Sequence, residues 1–202
     1  MIITDISKLN IIKLKEKCEP VSSIEEGEEI GAKLLKELSK SQNGIGLAAN
    51  QIGINKRVCV INVKEPIVLI NPEIIESSEE WFIFPEGCLS FPNYKVRVRR
   101  HVSVKVKADN HDSTLDFTAE SKDYKNAFEC ACVQHEIDHL DGITMFDREF
   151  KQEPYKAPKK YGRNEKVTIT NDNETKILKY KKAEPLLKKG WKVSDIQINA
   201  YD

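Results

Sequence analysis

The sequence has few of the features that would place it outside the ordinary globular proteins. Its 202 residues include 9 Gly and 8 Pro, with 40% hydrophobic and 32% charged residues, which excludes collagen-like, low-complexity and wholly disordered chains. No apolar run approaches the length of about 18 residues that a membrane span requires. The first residues resemble neither a signal peptide nor a transit peptide. We therefore expect a globular protein of the cytoplasm.

The cysteines do not predict a disulfide framework. They are odd in number and irregularly spaced, in a chain long enough to fold without such crosslinks. Free thiols in a reducing compartment are usually small core residues, and a minority are metal ligands or nucleophiles. The five are Cys18, Cys59, Cys88, Cys130 and Cys132.

Two helices and several short strands are predicted. Ser23 and Glu26 form the pattern of a capping box, with Glu26 reaching back to Ser23, and open an amphipathic helix over about 24–40. A second helix is expected over about 124–140, ended by Gly142. Strands without βαβ alternation favour an α+β fold. The predicted strand pairs are 57–63 with 67–70, and 102–107 with 115–119.

The second predicted helix carries an H-E-x-x-H pattern at His135, Glu136 and His139. Two imidazoles four residues apart on a helix can bind one metal ion, and the intervening Glu can act as a base. The alternative is a surface helix that carries two histidines among acids. The helical spacing places the two histidines on one face with Phe128, Ala131 and Cys132.

A hydrolytic metal site uses three protein ligands, and no further histidine follows His139. Upstream, Cys88 lies in the segment 84–90, which has no helical period, and its thiolate is a candidate ligand. The alternative is a buried structural thiol. A third segment, 44–51, is Gly-rich but has neither the Lys-Ser/Thr of a P-loop nor the third Gly of a dinucleotide fingerprint.

Three segments together resemble the peptide deformylase family. They read G-x-G-L-A-A-x-Q over 44–51, E-G-C-L-S over 86–90 and H-E-x-D-H-L-x-G over 135–142. All three family motifs are intact and in the family's order, and the resemblance covers about 5–150. It implies antiparallel β-sheets packed around a central helix that carries the HExxH motif, followed by a C-terminal extension.

The resemblance also implies a metal centre and a reaction. Cys88, His135 and His139 would bind one divalent metal ion, with water as the fourth ligand. The family generally uses Fe2+ and also accepts Ni2+, Co2+ or Zn2+. Its members remove the formyl group from the N-terminal formyl-methionine of new polypeptides and release formate. The metal-bound water would attack the formyl carbon, with Glu136 as general base and then general acid.

The remaining site residues follow from the same resemblance. Gln51 and the backbone N–H of Leu89 would stabilise the oxyanion, and the backbone of Gly46 would bind the substrate peptide. Asp138 is expected to support the ligands rather than to bind the metal. For each residue of the methionine pocket, ordinary core packing is the alternative. That pocket is expected to consist of Ile45, Phe84, Phe128, Ala131 and Cys132.

Two other functions are alternatives to an active deformylase. A metalloprotease would also use H-E-x-x-H, but Cys88 and the lack of a downstream histidine argue against it. A non-catalytic binding protein could keep the fold and dock a partner through its tail, but the complete set of Glu136, Gln51 and ligands argues against that.

The zero net charge conceals two regions of opposite sign. Residues 151–202 carry 13 Lys and Arg against 7 Asp and Glu, whereas residues 1–150 carry 19 against 25. We predict a catalytic domain over 1–150 and a basic extension over 151–202, which does not match the family's terminal helix. Strands over 167–170 and 176–180, joined by a turn over 171–173, form a possible hairpin in it.

The extension suggests a partner. A basic surface could contact ribosomal RNA or another acidic surface near nascent chains. A solvated extension, or one packed on the acidic body, is the alternative. We expect no membrane partner and no DNA.

Overall fold

The protein is described by a computed structural model, which covers residues 12–120, 123–151, 161–171 and 174–193. The chain divides into two compact units, Met1–Gln152 and Glu153–Asp202. No helix in the described ranges is long and apolar enough to cross a membrane.

The first unit is an α+β structure, as predicted. Its long helices in the described ranges are α1 (Ile24–Leu38) and α2 (Tyr124–Leu140), and a 3₁₀ turn spans Ala49–Ile52. All strand pairs are antiparallel, in the orders β1-β2-β3, β4-β7-β8 and β5-β6. The strands are β1 (Gly46–Ala48), β2 (Val58–Asn62), β3 (Pro66–Ile70), β4 (Glu73–Ser77), β5 (Trp81–Cys88), β6 (Phe91–His101), β7 (Ser103–Lys107) and β8 (Leu115–Thr118).

Helix α1 begins at a side-chain cap. The Ser23 hydroxyl accepts a hydrogen bond from the Glu26 N–H at 3.2 Å, and the Glu26 carboxylate accepts one from the Ser22 N–H at 3.0 Å. The expectation that Glu26 bonds back to Ser23 is therefore wrong by one residue. The helix ends at Leu38, two residues before the predicted end.

The sheet β1-β2-β3 lies between the two helices. Val58 and Val60 of β2 belong to the apolar cluster under α1, whereas Cys59 and Ile61 belong to the cluster under α2. This alternation follows from the two-residue period of a strand. A Cβ at Gly31 of α1 would lie only 2.5 Å from Val68 Cγ1, so glycine permits the close approach of α1 to β3.

The long hairpin of β5 and β6 was not predicted, because Pro85 and Gly87 are both unfavourable in strands. Its register shifts between Gly87 and Cys88, and Cys88 pairs with Phe91 at the closed end. Glu86 and Cys88 are buried while Pro85 and Gly87 are exposed. The hairpin therefore presents Glu86 and Cys88 on its buried face.

The described residues of the second unit, 161–171 and 174–193, include three strands and a helix. They are β9 (Lys166–Thr170), β10 (Thr175–Lys179), α3 (Tyr180–Leu187) and β11 (Lys192–Val193).

Strands β9 and β10 pair in an antiparallel manner, as expected, but Tyr180 begins α3 instead of ending a strand. Helix α3 was not predicted, because Pro185 lies inside it. Of the expected 171–173 turn, residues 172 and 173 lie outside the described ranges. Val167, Ile169 and Ala183 form the core of this unit.

Candidate metal centre

Three metal-binding side chains converge where α2 meets the end of β5. Cys88 Sγ and one ring nitrogen from each of His135 and His139 all lie within 4.8 Å of one another, and all three residues are buried. Cys88 Sγ lies 3.2 Å from His139 Nε2. The spacing of one helical turn places both imidazoles on the side of α2 that faces β5. The structure thus brings the three predicted ligands together.

The ring of His135 is oriented by a carboxylate. Its Nδ1 lies 2.8 Å from Glu86 Oε2, which leaves Nε2 directed toward the other donors. Arg100 holds Glu86 in turn, through Nε at 2.7 Å from Oε1 and a terminal nitrogen at 2.9 Å from Oε2. Carboxylates that hold a ligand imidazole in this way fix its tautomer and orientation.

Arg100 connects Glu86 to a second carboxylate. It donates to Asp138, which also accepts two hydrogen bonds from Arg148 at 2.8 and 3.2 Å. Burial raises the pKa of Glu86, but the hydrogen bonds from His135 and Arg100 outweigh burial and lower it to about 2. Glu86 therefore remains charged, which stabilises positive charge on the neighbouring donors.

Glu136 lies beside the three donors without a compensating cation of its own. Burial raises the pKa of Glu136 to about 7, with the charge of His135 opposing this shift and that of Glu86 adding to it. Its Oε2 is buried and has no hydrogen-bond partner among the described residues. A carboxyl group that titrates near neutrality can both accept and donate a proton.

Gly46 permits β1 to approach Glu136. A Cβ at this position would overlap the Glu136 carboxylate and lie 2.6 Å from Cys132 Sγ. Strand β1 is at the edge of its sheet, so one side of its backbone is not paired within the sheet. An edge of this kind can bind an extended peptide as an added strand.

Gln51 is fixed by three hydrogen bonds. Its Oε1 accepts from the Ala48 N–H at 2.8 Å, and its Nε2 donates to Ser90 Oγ at 3.1 Å and to Cys88 Sγ at 3.4 Å. The side-chain amide is therefore oriented with its N–H groups toward the Cys88 thiol. Ser90 was not singled out from the sequence, although it ends the E-G-C-L-S motif.

A cavity of about 590 Å³ opens onto this site. Phe84 and Phe128 meet edge to face in its wall, with ring centroids 4.9 Å apart. His139 is the one predicted site residue that does not line the cavity. The others do: Ile45, Gly46, Gln51, Phe84, Cys88, Leu89, Phe128, Ala131, Cys132, His135 and Glu136.

The donor set fits a divalent metal ion. One thiolate and two imidazoles suit Fe2+, Co2+, Ni2+ and Zn2+ rather than the oxygen-preferring Mg2+ or Ca2+. Burial, with the nearby charges of His135 and Arg100, lowers the pKa of His139 well below its usual range, so His139 is neutral and able to bind a metal. Burial also opposes protonation of His135, but hydrogen bonds with Cys88 and Glu86 outweigh it and raise the pKa of His135. Cys88 and Glu86 therefore favour a positive charge beside His135.

The comparisons with known proteins agree with this geometry. The sequence model described as polypeptide deformylase matches residues 3–154. This chain belongs to the polypeptide deformylase family. A peptide deformylase from Heliobacterium modesticaldum is 42% identical over 151 residues, which cover 73% of this chain and 95% of that protein. One from Dictyoglomus thermophilum is 40% identical over 148 residues, or 72% of this chain and 92% of that protein.

Solved deformylase structures have the same fold. The Thermotoga maritima enzyme is 32% identical and superposes with a TM-score of 0.60, covering 69% of this chain and 92% of that one. The Plasmodium falciparum enzyme is 25% identical, with a TM-score of 0.64 over 75% of this chain and 87% of that one. The predictions of a peptide deformylase, of an α+β fold and of an enzyme are thereby confirmed.

Sequence reasoning did not identify Glu86 and Arg100 as the charged residues that orient His135 in this deformylase. Glu86 lies inside a recognised motif, but its contact with His135 depends on packing between β5 and α2. Arg100 lies fourteen residues further along the chain and meets Glu86 only because β5 and β6 pair. No spacing rule predicts such a long-range contact. The supporting position expected for Asp138 agrees with its bonds to Arg100 and Arg148.

Proposed function

We propose that this chain hydrolyses the formamide of N-terminal formyl-methionine on new polypeptides and releases formate. One observation carries the proposal: three buried metal-binding atoms lie within 4.8 Å of one another, with Glu136 on the same helix as the two histidines and the Gln51 amide 3.4 Å from Cys88 Sγ. Membership of the deformylase family supports the same reaction.

Cys88, His135 and His139 would hold the metal ion, with Fe2+ as the proposed ion and Ni2+, Co2+ or Zn2+ as alternatives. When bound, the ion supplies a Lewis acid that polarises the formyl group and makes water more acidic. Because one ligand is a thiolate and two are neutral, a divalent ion would keep a single net positive charge. Glu86 and Arg100 maintain the orientation of His135 throughout.

Glu136 would transfer the proton. Its carboxylate takes a proton from the attacking water and then delivers it to the amine nitrogen of the departing methionine. The pKa of about 7 suits both steps, because neither form of the group is strongly disfavoured near neutrality. Its unpaired Oε2 supports this assignment, since a structural carboxylate at this depth would be expected to have a partner.

Negative charge on the formyl oxygen would be met by the Gln51 amide and the Leu89 N–H. Gln51 is held in place before the reaction, which is the condition under which such donors are most effective. The substrate backbone would pair with the edge of β1 at Gly46. Its methionine side chain would lie against the apolar wall formed by Ile45, Phe84, Phe128, Ala131 and Cys132.

Release of formate from formyl-Met-Ala by the full-length protein tests this function. The enzyme is loaded with Fe2+ under anaerobic conditions, and acetyl-Met-Ala serves as the matched control substrate. We expect stoichiometric formate, its loss after chelation, and its recovery on adding Fe2+. Absence of formate with each of Fe2+, Co2+, Ni2+ and Zn2+ would contradict the proposal. Cys88→Ala should lower the bound metal measured by elemental analysis, and unchanged metal content would remove Cys88 from the site.

The second unit is proposed to contact ribosomal RNA. Lys166 and Lys179 face each other directly across β9 and β10, and like charges at such positions are unfavourable unless an anion compensates them. Salt-sensitive co-sedimentation with ribosomes should weaken in a Lys166→Glu/Lys179→Glu variant. Undiminished sedimentation of that variant would exclude this surface. A cytoplasmic location stays a prediction.

A further inference from the structure

On two exposed sheet faces of the first unit, the lysines and arginines differ in whether acidic residues lie opposite them. On the sheet of β4 and β7, Lys105 lies opposite Glu76 and forms an ion pair with it at 3.1 Å. Lys107 lies opposite Glu73. This face therefore neutralises its positive charges locally, which is what a purely structural sheet surface requires.

The hairpin of β5 and β6 has no such compensation. Lys95, Arg97 and Arg99 alternate along β6 and are all exposed. Their partners across the hairpin are uncharged, and none of the three basic side chains forms an ion pair with another described residue. We call Lys95, Arg97 and Arg99 the basic face; their partners on β5 are Gly87, Pro85 and Ile83.

The basic face is conspicuous because its surroundings are acidic. Residues 1–150 carry 25 Asp and Glu against 19 Lys and Arg. Glu149, which bridges to β6 at Val98, lies 3.7 Å from Lys151 in an ion pair. Three adjacent unpaired cations in an acidic unit repel one another, and an anionic ligand would remove that cost.

Arg99 is held in a fixed orientation. Its Cζ lies 3.7 Å from the ring centroid of Trp81 and 5.2 Å from that of Phe150. A guanidinium stacked over one aromatic ring and close to a second loses less conformational freedom on binding a carboxylate than a free side chain does. The Arg99 guanidinium is therefore preorganised to bind a carboxylate.

The basic face begins at the rim of the cavity. Pro85, Gly87 and Lys95 belong to the exposed side of the hairpin and also line the cavity. Gly87 directly precedes Cys88. A peptide whose first residue lies in the cavity can therefore leave it along this face. Successive members of the face are two residues apart, about 6.8 Å, which is also the spacing of alternate side chains in an extended peptide.

We infer that the basic face binds acidic side chains of the substrate polypeptide beyond its first residues, so that this enzyme favours new chains with Asp or Glu at alternate positions. This inference rests on the proposed deformylase function. An RNA strand is the competing occupant. Continuity with the cavity favours the peptide, because the peptide is already fixed at the adjoining end.

The test compares kcat/KM for two formylated peptides. One has the sequence formyl-Met-Ala-Ser-Asp-Ser-Asp-Ser-Asp, and the other has Asn in place of each Asp. Exposed ion pairs are individually weak, so three of them together should give the acidic peptide an advantage of roughly tenfold at low salt. Screening should reduce this ratio toward one at about 0.5 M NaCl.

Two double variants distinguish binding at the basic face from a general effect of the protein's positive charge. In Arg97→Gln/Arg99→Gln the ratio should fall to about two, because one contact at Lys95 remains. Lys105→Gln/Lys107→Gln removes the same charge from the neighbouring sheet and should keep the ratio of the parent protein. Each ratio is measured within one variant, so a change in overall activity does not affect it.

Equal kcat/KM for the acidic and amide peptides in the parent protein would overturn the inference, as would a full ratio in Arg97→Gln/Arg99→Gln. Equal kcat/KM together with binding of labelled oligouridine that this variant loses would assign the face to RNA instead. If formyl-Met-Ala itself is not hydrolysed, the proposed function fails. Fluorescence anisotropy of the labelled, unformylated peptides then decides the inference independently, with equal affinities overturning it.

Discussion

Helices α1 and α2 pack on opposite sides of the sheet β1-β2-β3, yet they bury side chains of different chemical character. Helix α1 buries a single stripe that contains Ile30, Leu34 and Leu38, while its other side faces solvent. Helix α2 is buried on every side from Glu129 to Leu140 and carries acidic residues and two histidines into the interior.

The difference separates buried residues that stabilise the fold from those that we propose to be retained for chemistry. Burial of the apolar stripe of α1 is favourable in itself. The polar groups of α2 are costly to bury unless they are paired, and β5 and β6 supply Glu86 and Arg100 for that purpose. Within the described part of the chain, Glu136 has no comparable partner for its Oε2. We therefore expect substitutions on the α1 side of the sheet to change stability alone, and those on the α2 side to change activity as well.

The largest loss of stability is expected from Arg100→Leu. The change leaves the buried carboxylates of Glu86 and Asp138 without their shared cation, and breaking a buried ion pair in this way costs about 3–5 kcal/mol. Urea unfolding measures this loss. Formate release should fall as well, because Glu86 would no longer be held against His135. Arg100→Lys, which keeps the charge, should be intermediate in both assays, and a loss below about 1 kcal/mol for Arg100→Leu would contradict the assigned role.

Leu34→Ala should destabilise the protein by a slightly smaller amount and leave catalysis alone. Leu34 is fully buried under α1, and removing such a side chain costs about 2–5 kcal/mol. Because the buried cluster that contains Leu34 holds none of the metal-binding residues and not Glu136, kcat at low temperature should stay within about twofold. Leu35→Ala, one residue along and only partly buried, is the matched control and should cost less. A large fall in kcat for Leu34→Ala would show that the two sides of the sheet are not separable.

Ser23→Ala should have the smallest effect. It removes the hydroxyl that accepts from the Glu26 N–H at the start of α1, and the loss of an N-cap costs about 1 kcal/mol. Ser22→Ala is the control, since Ser22 contributes its backbone N–H to Glu26 and would keep it. Equal destabilisation by both substitutions in thermal unfolding would refute the assignment of Ser23 as the cap.

The parts of the fold that depend on local patterns were predictable from the sequence. Helix α2 spans the expected 124–140. The pair β2–β3 lies where two short β-rich runs indicated, and β7–β8 lies where the alternating run 102–107 indicated. The three candidate ligands could be proposed from the sequence because their motifs are local. Their convergence within 4.8 Å agrees with that assignment.

The features that were missed depend on contacts between distant segments. Strand β5 contains Pro85 and Gly87, so its composition does not favour a strand, and pairing with β6 stabilises it instead. The link from Arg100 to Glu86 and Asp138 joins three elements. Helix α3 contains Pro185, which local propensity disfavours, and packing of Ala183 against Val167 and Ile169 compensates.

We propose that Glu136 is retained on α2 for proton transfer rather than for stability. The variant Glu136→Gln tests this role. Formate release from formyl-Met-Ala, metal content and the free energy of unfolding are measured on the same preparation. We expect a loss of activity of about 1,000-fold or more, with metal content retained. Stability should not fall, because the substitution removes a buried carboxyl that lacks a full set of partners. Turnover close to that of the parent protein, or inactivity that is explained by unfolding or metal loss, would contradict it.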